Sequence, residues 1–158
     1  MSVSASDLMN FDIMPTKQMI SENDAILYAL STGYASEPTD RDHLQYTSGS
    51  ELSVAASIAN TLCHPGFWTR QAGVNWQGVV HAEQRLHVYR PIPLNKQIYS
   101  RARCVSVVDR GVGRNMFVTF ERTLFCEGET EAFAKILHTD ACRLDGGCGN
   151  AGTPPQPL

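Results

Sequence analysis

The chain has 158 residues, of which 42% are hydrophobic and 18% charged, and its net charge at pH 7 is −3. This length is enough for one domain with a hydrophobic core. The mildly acidic balance lacks the basic patch of a nucleic-acid-binding protein, and no apolar stretch approaches the roughly 20 residues of a membrane-spanning helix. Neither nucleic acid nor a membrane is therefore expected as a partner.

The N-terminus lacks the basic start and the apolar core of a secretion signal, so a cytoplasmic location is expected. The five cysteines are scattered and form no CxxC pair. Such spacing favours reduced thiols over a disulfide framework or a zinc site. We therefore predict no bound metal.

The first third of the chain predicts an arm, a helix and a surface loop. Residues Met1–Lys17 are expected to form an arm or a short edge strand. Ser21 and Asp24 have the spacing of a capping box that starts a helix, and Gly33 is expected to end or bend it. The polar stretch Ala35–Ser50 predicts a surface loop. The helix is expected to bury one apolar face, formed by Ile26, Leu27, Leu30 and Tyr34.

The stretch Leu52–Leu62, with the sequence LSVAASIANTL, predicts a long and mostly buried helix. It has no charged residue, and such a helix is usually covered on more than one side. Its small side chains would let the backbone of a sheet approach closely. The pair Pro65-Gly66 is expected to end this helix.

The stretch Val79–Pro93, with the sequence VVHAEQRLHVYRPIP, predicts a strand. Its residues alternate with a period of two, which indicates one buried and one wetter face. The prolines at its end donate no N–H and stop the ladder. One face carries Ala82, Gln84, Leu86 and Val88, and the other carries Glu83, Arg85, His87 and Tyr89.

Three further strands are predicted over Ile98–Val108, Asn115–Phe125 and Ala132–Cys142, joined by short turns that form an antiparallel meander. The predicted fold class is α+β, with one long central helix wrapped by a curved, mainly antiparallel sheet. Residues 1–145 are expected to form this domain. The Gly- and Pro-rich residues 146–158 are predicted to be a linker-like tail without packed structure.

A buried helix clasped by such a sheet resembles the hot-dog fold, and four local patterns resemble the MaoC-like, type 2 (R-specific) enoyl-CoA hydratases. Asp24–Gly33 is similar to that family's D-x-x-L-Y-A-L-x-x-G element. Pro65–Pro93 is similar to the segment that carries H-G-E-Q and R-P-L-P. Asp109–Gly113 resembles the D-K-G-x-G turn, and Asp145–Gly149 the glycine-rich exit. The matches keep their order and spacing over roughly Met19–Gly149.

The resemblance implies the N-terminal half of the family's two-hot-dog chains. In that family the two halves pack as a pseudo-dimer around one continuous sheet. The C-terminal half carries the chemistry in an element of the form Y-x-L-S-G-D-x-N-P-x-H, while the N-terminal half makes room for the acyl chain. The Gly- and Pro-rich end of this chain is typical of the linker between the halves.

The catalytic element aligns without a gap on Tyr28–Pro38. Its Asp falls on Gly33, its Asn on Ala35 and its His on Pro38. None of the three transfers a proton or activates water. The resemblance therefore predicts no catalytic residue in this chain, and no Asp–His pair facing the acyl slot.

The resemblance implies a non-catalytic, acyl-CoA-accommodating subunit of an R-specific 2-enoyl-CoA hydratase. It would bind acyl-CoA or enoyl-CoA without a further cofactor and would need a catalytic hot-dog partner, in a homodimer or a heterodimer. Two alternatives remain open. One is a homodimeric hot-dog thioesterase acting alone with Glu51 at the N-terminus of the central helix, and the other is a protein that binds a thioester or another hydrophobic ligand.

Eight residues are candidates for contact with the acyl-CoA. Each also has a structural interpretation: a strand-end histidine, a Glu83–Arg85 pair, a buried amide, core aromatic residues and solvated arginines. The candidates are His81, Glu83, Gln84, Phe67, Trp68, Trp76, Arg110 and Arg114.

Overall fold

The computed structural model describes residues 3–37, 39–49 and 51–156. Its strands pair into one antiparallel sheet in the order β1-β3-β4-β5-β2, with β6 beside β3. In the described chain, β2 is therefore an edge strand that pairs with β5 alone. The strands are β1 (Lys17–Met19), β2 (Val79–Val88), β3 (Gln97–Asp109), β4 (Met116–Cys126), β5 (Ala134–Cys142) and β6 (Ala151–Gly152).

The helices are short. They are α1 (Ala5–Met9), α2 (Glu22–Ser31), α3 (Arg41–Leu44) and α4 (Trp68–Gln71), together with 3₁₀ helices at Ala56–Asn60 and Trp76–Gly78. None of the helices in the described ranges is long and apolar enough to cross a membrane.

The prediction of an N-terminal arm is wrong, because the chain forms α1 there. Ser4 and Asp7 make a reciprocal capping box, in which each side chain bonds the backbone of the other. This arrangement satisfies the free N–H groups at a helix start. The same device at Ser21 and Asp24 opens α2 as predicted, and Gly33, with a φ of 93°, follows its end.

The prediction of which face of α2 is buried is wrong. Ala25 and Ala29 are buried, while Leu27 and Leu30 are 68% and 50% exposed. The small alanines face the body of the protein and let the helix lie close to it. The two leucines therefore remain on the surface.

The predicted long helix over Leu52–Leu62 is also wrong, because only the 3₁₀ helix at Ala56–Asn60 forms. The residue before it, Ala55, makes no side-chain capping bond. The hydroxyl of Thr61 donates to the Ile58 carbonyl at 2.8 Å, and such local bonds compete with helix extension. The predicted α+β class and the antiparallel sheet are confirmed, but the central helix is reduced to a short turn.

The predicted meander of β3, β4 and β5 is confirmed. The inward row of β4 includes Met116, Val118, Phe120 and Leu124, which are buried. Arg122 lies in the same inward row and is only 1% exposed. Its Nη2 donates to the Asn60 carbonyl at 2.6 Å, which ties the 3₁₀ helix to the sheet.

The glycine-rich exit is packed rather than free. The Asp109 carboxylate accepts N–H groups from Gly111, Gly147 and Gly149 at 2.8, 2.9 and 2.8 Å. These bonds hold the pKa of Asp109 below its usual value. Ala151–Gly152 then pairs with β3. The prediction that this stretch lacks packed structure is therefore wrong as far as Gly152.

Candidate functional site

A β-bulge between His81 and Glu83 shapes the pairing of β2 with β5. His81 lies opposite Asp140, whereas Glu83 lies opposite Thr139 and Gln84 opposite His138. A bulge bends its strand and re-aims the side chains beside it. The result is that His81 approaches both His138 and Asp140.

These three side chains form a tight polar cluster. Nε2 of His138 lies 2.8 Å from Oδ1 of Asp140 and 3.2 Å from Nδ1 of His81. The side chains of His138 and Asp140 are only 13% and 12% exposed. Phe120 stacks on the His138 ring with centroids 4.7 Å apart, which fixes the orientation of the imidazole.

The cluster borders a cavity of about 200 Å³, whose other lining side chains include His64, Phe67, Trp68 and Val79. An Asp–His pair therefore faces this cavity, whereas the prediction from the resemblance concerned the acyl slot and stays a prediction. Residues two apart on a strand lie on the same face. The spacing of His138 and Asp140 was the signal in the sequence that could have indicated the pair.

The histidines of this cavity have lowered pKa values. Burial, followed by the positive charge of Arg122, lowers the pKa of His64. Burial and the neighbouring His138 lower the pKa of His81. Nδ1 of His64 accepts the Gly66 N–H at 3.1 Å, which requires a lone pair on that nitrogen. Both imidazoles are thus largely neutral at pH 7.

The three predicted aromatic contacts occupy different environments. Trp68 is buried, and its ring makes an edge contact with Phe120 at 5.6 Å between centroids. Phe67 is 70% exposed at the rim of the same cavity. Trp76 is 47% exposed and lies beside Phe67, with centroids 6.5 Å apart. Of the three predicted aromatic residues, Phe67 and Trp68 line the cavity that His81 borders, and Trp76 does not.

The remaining polar candidates lie apart from the cluster. Glu83 pairs with Arg85 at 2.7 Å, and Gln84 is half-buried on the edge strand. Arg110 and Arg114 line a surface hollow of about 460 Å³ beside Phe117. The structure therefore does not bring the eight predicted contact residues into one site.

The loop after α2 contains the positions aligned with the hydratase element. Gly33 and Ala35 have φ values of 93° and 58°, while Pro38 lies outside the described residues. A cavity of about 400 Å³ lies between α2 and the 3₁₀ helix, lined by apolar side chains that include Leu27, Ile58 and Leu62.

Glu51 does not occupy the predicted place at a helix N-terminus. Its side chain is exposed, and the 3₁₀ helix begins only at Ala56. A carboxylate so placed gains nothing from a helix dipole.

The curved antiparallel sheet with its short inner helix defines a single hot-dog domain of the MaoC-like hydratase class. Residues 19–136 match the sequence model of the MFE-2 hydratase 2 N-terminal domain, and the chain belongs to this family. No curated protein sequence matches the chain.

Several solved structures share the fold. The MaoC-like dehydratase from Phytophthora capsici aligns with a TM-score of 0.79 and 17% identity, over 98% of this chain and 54% of that one. The full-length peroxisomal multifunctional enzyme type 2 from Drosophila melanogaster aligns with a TM-score of 0.63 and 18% identity, over 91% of this chain and 25% of that one. The chain thus spans about half the length of the Phytophthora protein.

A third similar structure is the ChsH1-ChsH2 complex from Mycobacterium tuberculosis. It aligns with a TM-score of 0.62 and 11% identity, over 94% of this chain and 95% of the matched chain. The matched chain of that complex is therefore about as long as this one.

Proposed function

We propose that this chain is the non-catalytic, acyl-CoA-accommodating hot-dog unit of an R-specific 2-enoyl-CoA hydratase. The observation that carries the proposal is the loop after α2. Gly33 and Ala35 stand where the resembling family has its catalytic Asp and Asn. Neither side chain transfers a proton, so hydration requires a second hot-dog unit that supplies the acid–base groups.

The room for an acyl chain lies beneath α2. Because the inner helix is reduced to the 3₁₀ turn Ala56–Asn60, the space beside it remains open as the cavity of about 400 Å³ lined by Ile58 and Leu62. This volume falls within the usual range of about 300–1,000 Å³ for small-molecule pockets. The exposed Leu27 at its rim extends the apolar surface.

The edge strand β2 supports the proposed partner. In the described chain its outer edge forms no ladder with another strand. Val80 and Val88 on this strand are 45% and 37% exposed. An unpaired edge of this length favours pairing with another sheet, and a second hot-dog unit would continue the ladder.

The Asp140–His138 pair does not replace the missing catalytic element in this proposal. Its cavity of about 200 Å³ is below the usual range of small-molecule pockets, about 300–1,000 Å³. His138 is also held between Asp140 and His81. The pair is therefore poorly placed to receive an acyl thioester.

The first test compares the chain alone with the chain co-expressed with a catalytic hot-dog unit of the same family. We expect negligible hydration of crotonyl-CoA and longer 2-enoyl-CoA substrates by the chain alone, because acid–base groups contribute about 10²- to 10⁴-fold to the rate. The paired protein should be active. Efficient turnover of an enoyl-CoA by the chain alone would refute the proposal, and hydrolysis of the thioester instead would favour the thioesterase alternative.

A second test probes the acyl cavity in the paired protein. Ser31→Phe places a bulky ring at the lining of the cavity, and we expect turnover of long-chain substrates to fall about tenfold, equivalent to about 1.4 kcal/mol. Turnover of crotonyl-CoA should stay unchanged. Asn23→Phe, on an exposed position of the same helix, is the control. Equal losses for both substrates would place the acyl chain elsewhere.

A further inference from the structure

We propose that His81, His138 and Asp140 form a binding site for a divalent transition-metal ion of the Zn²⁺ class. Nδ1 or Nε2 of each histidine and one carboxylate oxygen of Asp140 lie within 4.8 Å of one another. Two imidazoles and one carboxylate are a donor set that such ions prefer. The proposal is independent of the hydratase role proposed above.

The spacing of the donor atoms suits one ion. His138 Nε2 lies 3.2 Å from His81 Nδ1 and 2.8 Å from Asp140 Oδ1. Ligand atoms about 2.1 Å from a metal stand roughly 3–3.4 Å apart in octahedral or tetrahedral sites. Two of the three separations are therefore close to those of a coordination shell, and the third pair, His81 and Asp140, lies within 4.8 Å.

The proton count at His138 also favours a cation. Nε2 of this residue contacts both the Asp140 carboxylate and Nδ1 of His81. A neutral imidazole carries at most one proton on that nitrogen, and a carboxylate only accepts. One proton cannot make two well-aligned hydrogen bonds in different directions, whereas a metal ion receives a lone pair from each of the three atoms.

The protein holds two of the three ligands rigidly. Asp140 and His138 lie on β5, where their side chains are about one-eighth exposed, and Phe120 stacks on His138. The β2 bulge presents His81 to them. Preorganised ligands of this kind retain a metal better than ligands on a mobile loop.

The remaining coordination positions would face the cavity of about 200 Å³. His64 lines this cavity, and its ring centroid lies 5.9 Å from that of His138. Its Nδ1 is already bonded to the Gly66 N–H, which leaves Nε2 as the atom available to a ligand. Water or the oxygen of a small molecule would occupy the other open positions.

The test is calorimetric titration of the tag-free, chelator-treated chain with ZnCl₂, and with CoCl₂ followed by visible absorption. We expect one Zn²⁺ per chain and an absorption band of protein-bound Co²⁺. MgCl₂, a hard cation that prefers oxygen ligands, should not bind at the same concentrations.

Two ligand variants and one control make the test specific. Asp140→Asn and His81→Gln should each weaken Zn²⁺ binding by at least about tenfold. His87→Gln is the control, since His87 is an exposed histidine of the same strand outside the cluster. Circular dichroism confirms that each variant is folded. Absence of Zn²⁺ binding to the folded chain, or equal affinity in all variants, would overturn the proposal and leave a hydrogen-bonded cluster only.

Discussion

The loop after α2 and the strand pair β2–β5 differ in the chemistry they carry. The loop contains the positions aligned with the hydratase element, where this chain has Gly33 and Ala35. The strand pair gathers His81, His138 and Asp140 around a small cavity. The positions aligned with the hydratase element therefore lack acid–base side chains, whereas the strand pair carries two imidazoles and a carboxylate.

The two regions also differ in what stabilises them. The α2 region relies on a capping box and on small buried alanines, and it leaves Leu27 exposed. The strand pair rests on buried aromatic residues, above all Phe120, which contacts both Trp68 and His138. Substitutions in the two regions should consequently change the free energy of unfolding by different amounts.

The largest expected change in unfolding free energy is that of Phe120→Ala, whose side chain packs against the strand pair. Removing a buried phenylalanine leaves a cavity and costs about 3–5 kcal/mol of unfolding free energy. Leu27→Ala, at the exposed face of α2, should change it by no more than about 0.5 kcal/mol. Urea denaturation measures both, and equal losses would contradict the difference between the two regions.

A smaller effect is expected at the start of α2. Ser21→Ala removes the hydroxyl that accepts the Asp24 N–H at 3.2 Å, and loss of such a cap costs about 1 kcal/mol. Ser36→Ala, in the loop after the helix, serves as the control and should stay within about 0.5 kcal/mol. A Ser21→Ala variant as stable as the wild-type chain would show that tertiary contacts alone hold α2.

The pH dependence of stability should arise at the strand-pair cavity. His64 and His81 have lowered pKa values in the folded chain, so the unfolded state binds protons more readily below about pH 6.5. Their contribution to stability is therefore complete above that pH and is lost as the pH falls. Denaturation curves between pH 7 and pH 5 should show this loss, and His64→Gln combined with His81→Gln should reduce it. If the unfolding free energy of the double variant changed with pH as much as that of the wild-type chain, the two histidines would not be the cause.

The smallest expected effect is a change in the pKa of His64 that His81 does not share. Burial lowers the pKa of Arg122 to about 10, so it remains charged at pH 7. Its charge contributes to the lowered pKa of His64 but is not among the causes that act on His81. Arg122→Met should therefore raise the pKa of His64 and leave that of His81 unchanged in an NMR titration. Equal shifts would indicate a general rearrangement of the cavity.

Much of the sheet could be predicted from the local alternation of residues and from the turns between the strands. The predicted strand Ile98–Val108 differs from β3, Gln97–Asp109, by one residue at each end, because alternation and the following turn fix its limits. The capping boxes are equally local, although the one at Ser4 was missed.

The candidate site was only partly predictable. His81 was identified from its motif, but His138 and Asp140 were not. His81 and His138 are 57 positions apart, and their approach depends on the register of β2 with β5 and on a bulge. The prediction of no metal rested on the absence of paired cysteines, and such a pattern says nothing about ligands contributed by two different strands.

The sequence by itself determined the antiparallel meander, the start of α2 and the absence of acid–base side chains at Gly33 and Ala35, since each depends on residues close together in the chain. Only the tertiary structure decided that Ala25 and not Leu27 is buried, that Leu52–Leu62 forms one short turn and that the strand pair gathers a polar cluster. These outcomes depend on which surfaces meet in space, and the free energy of burying them outweighs the preference of any single segment.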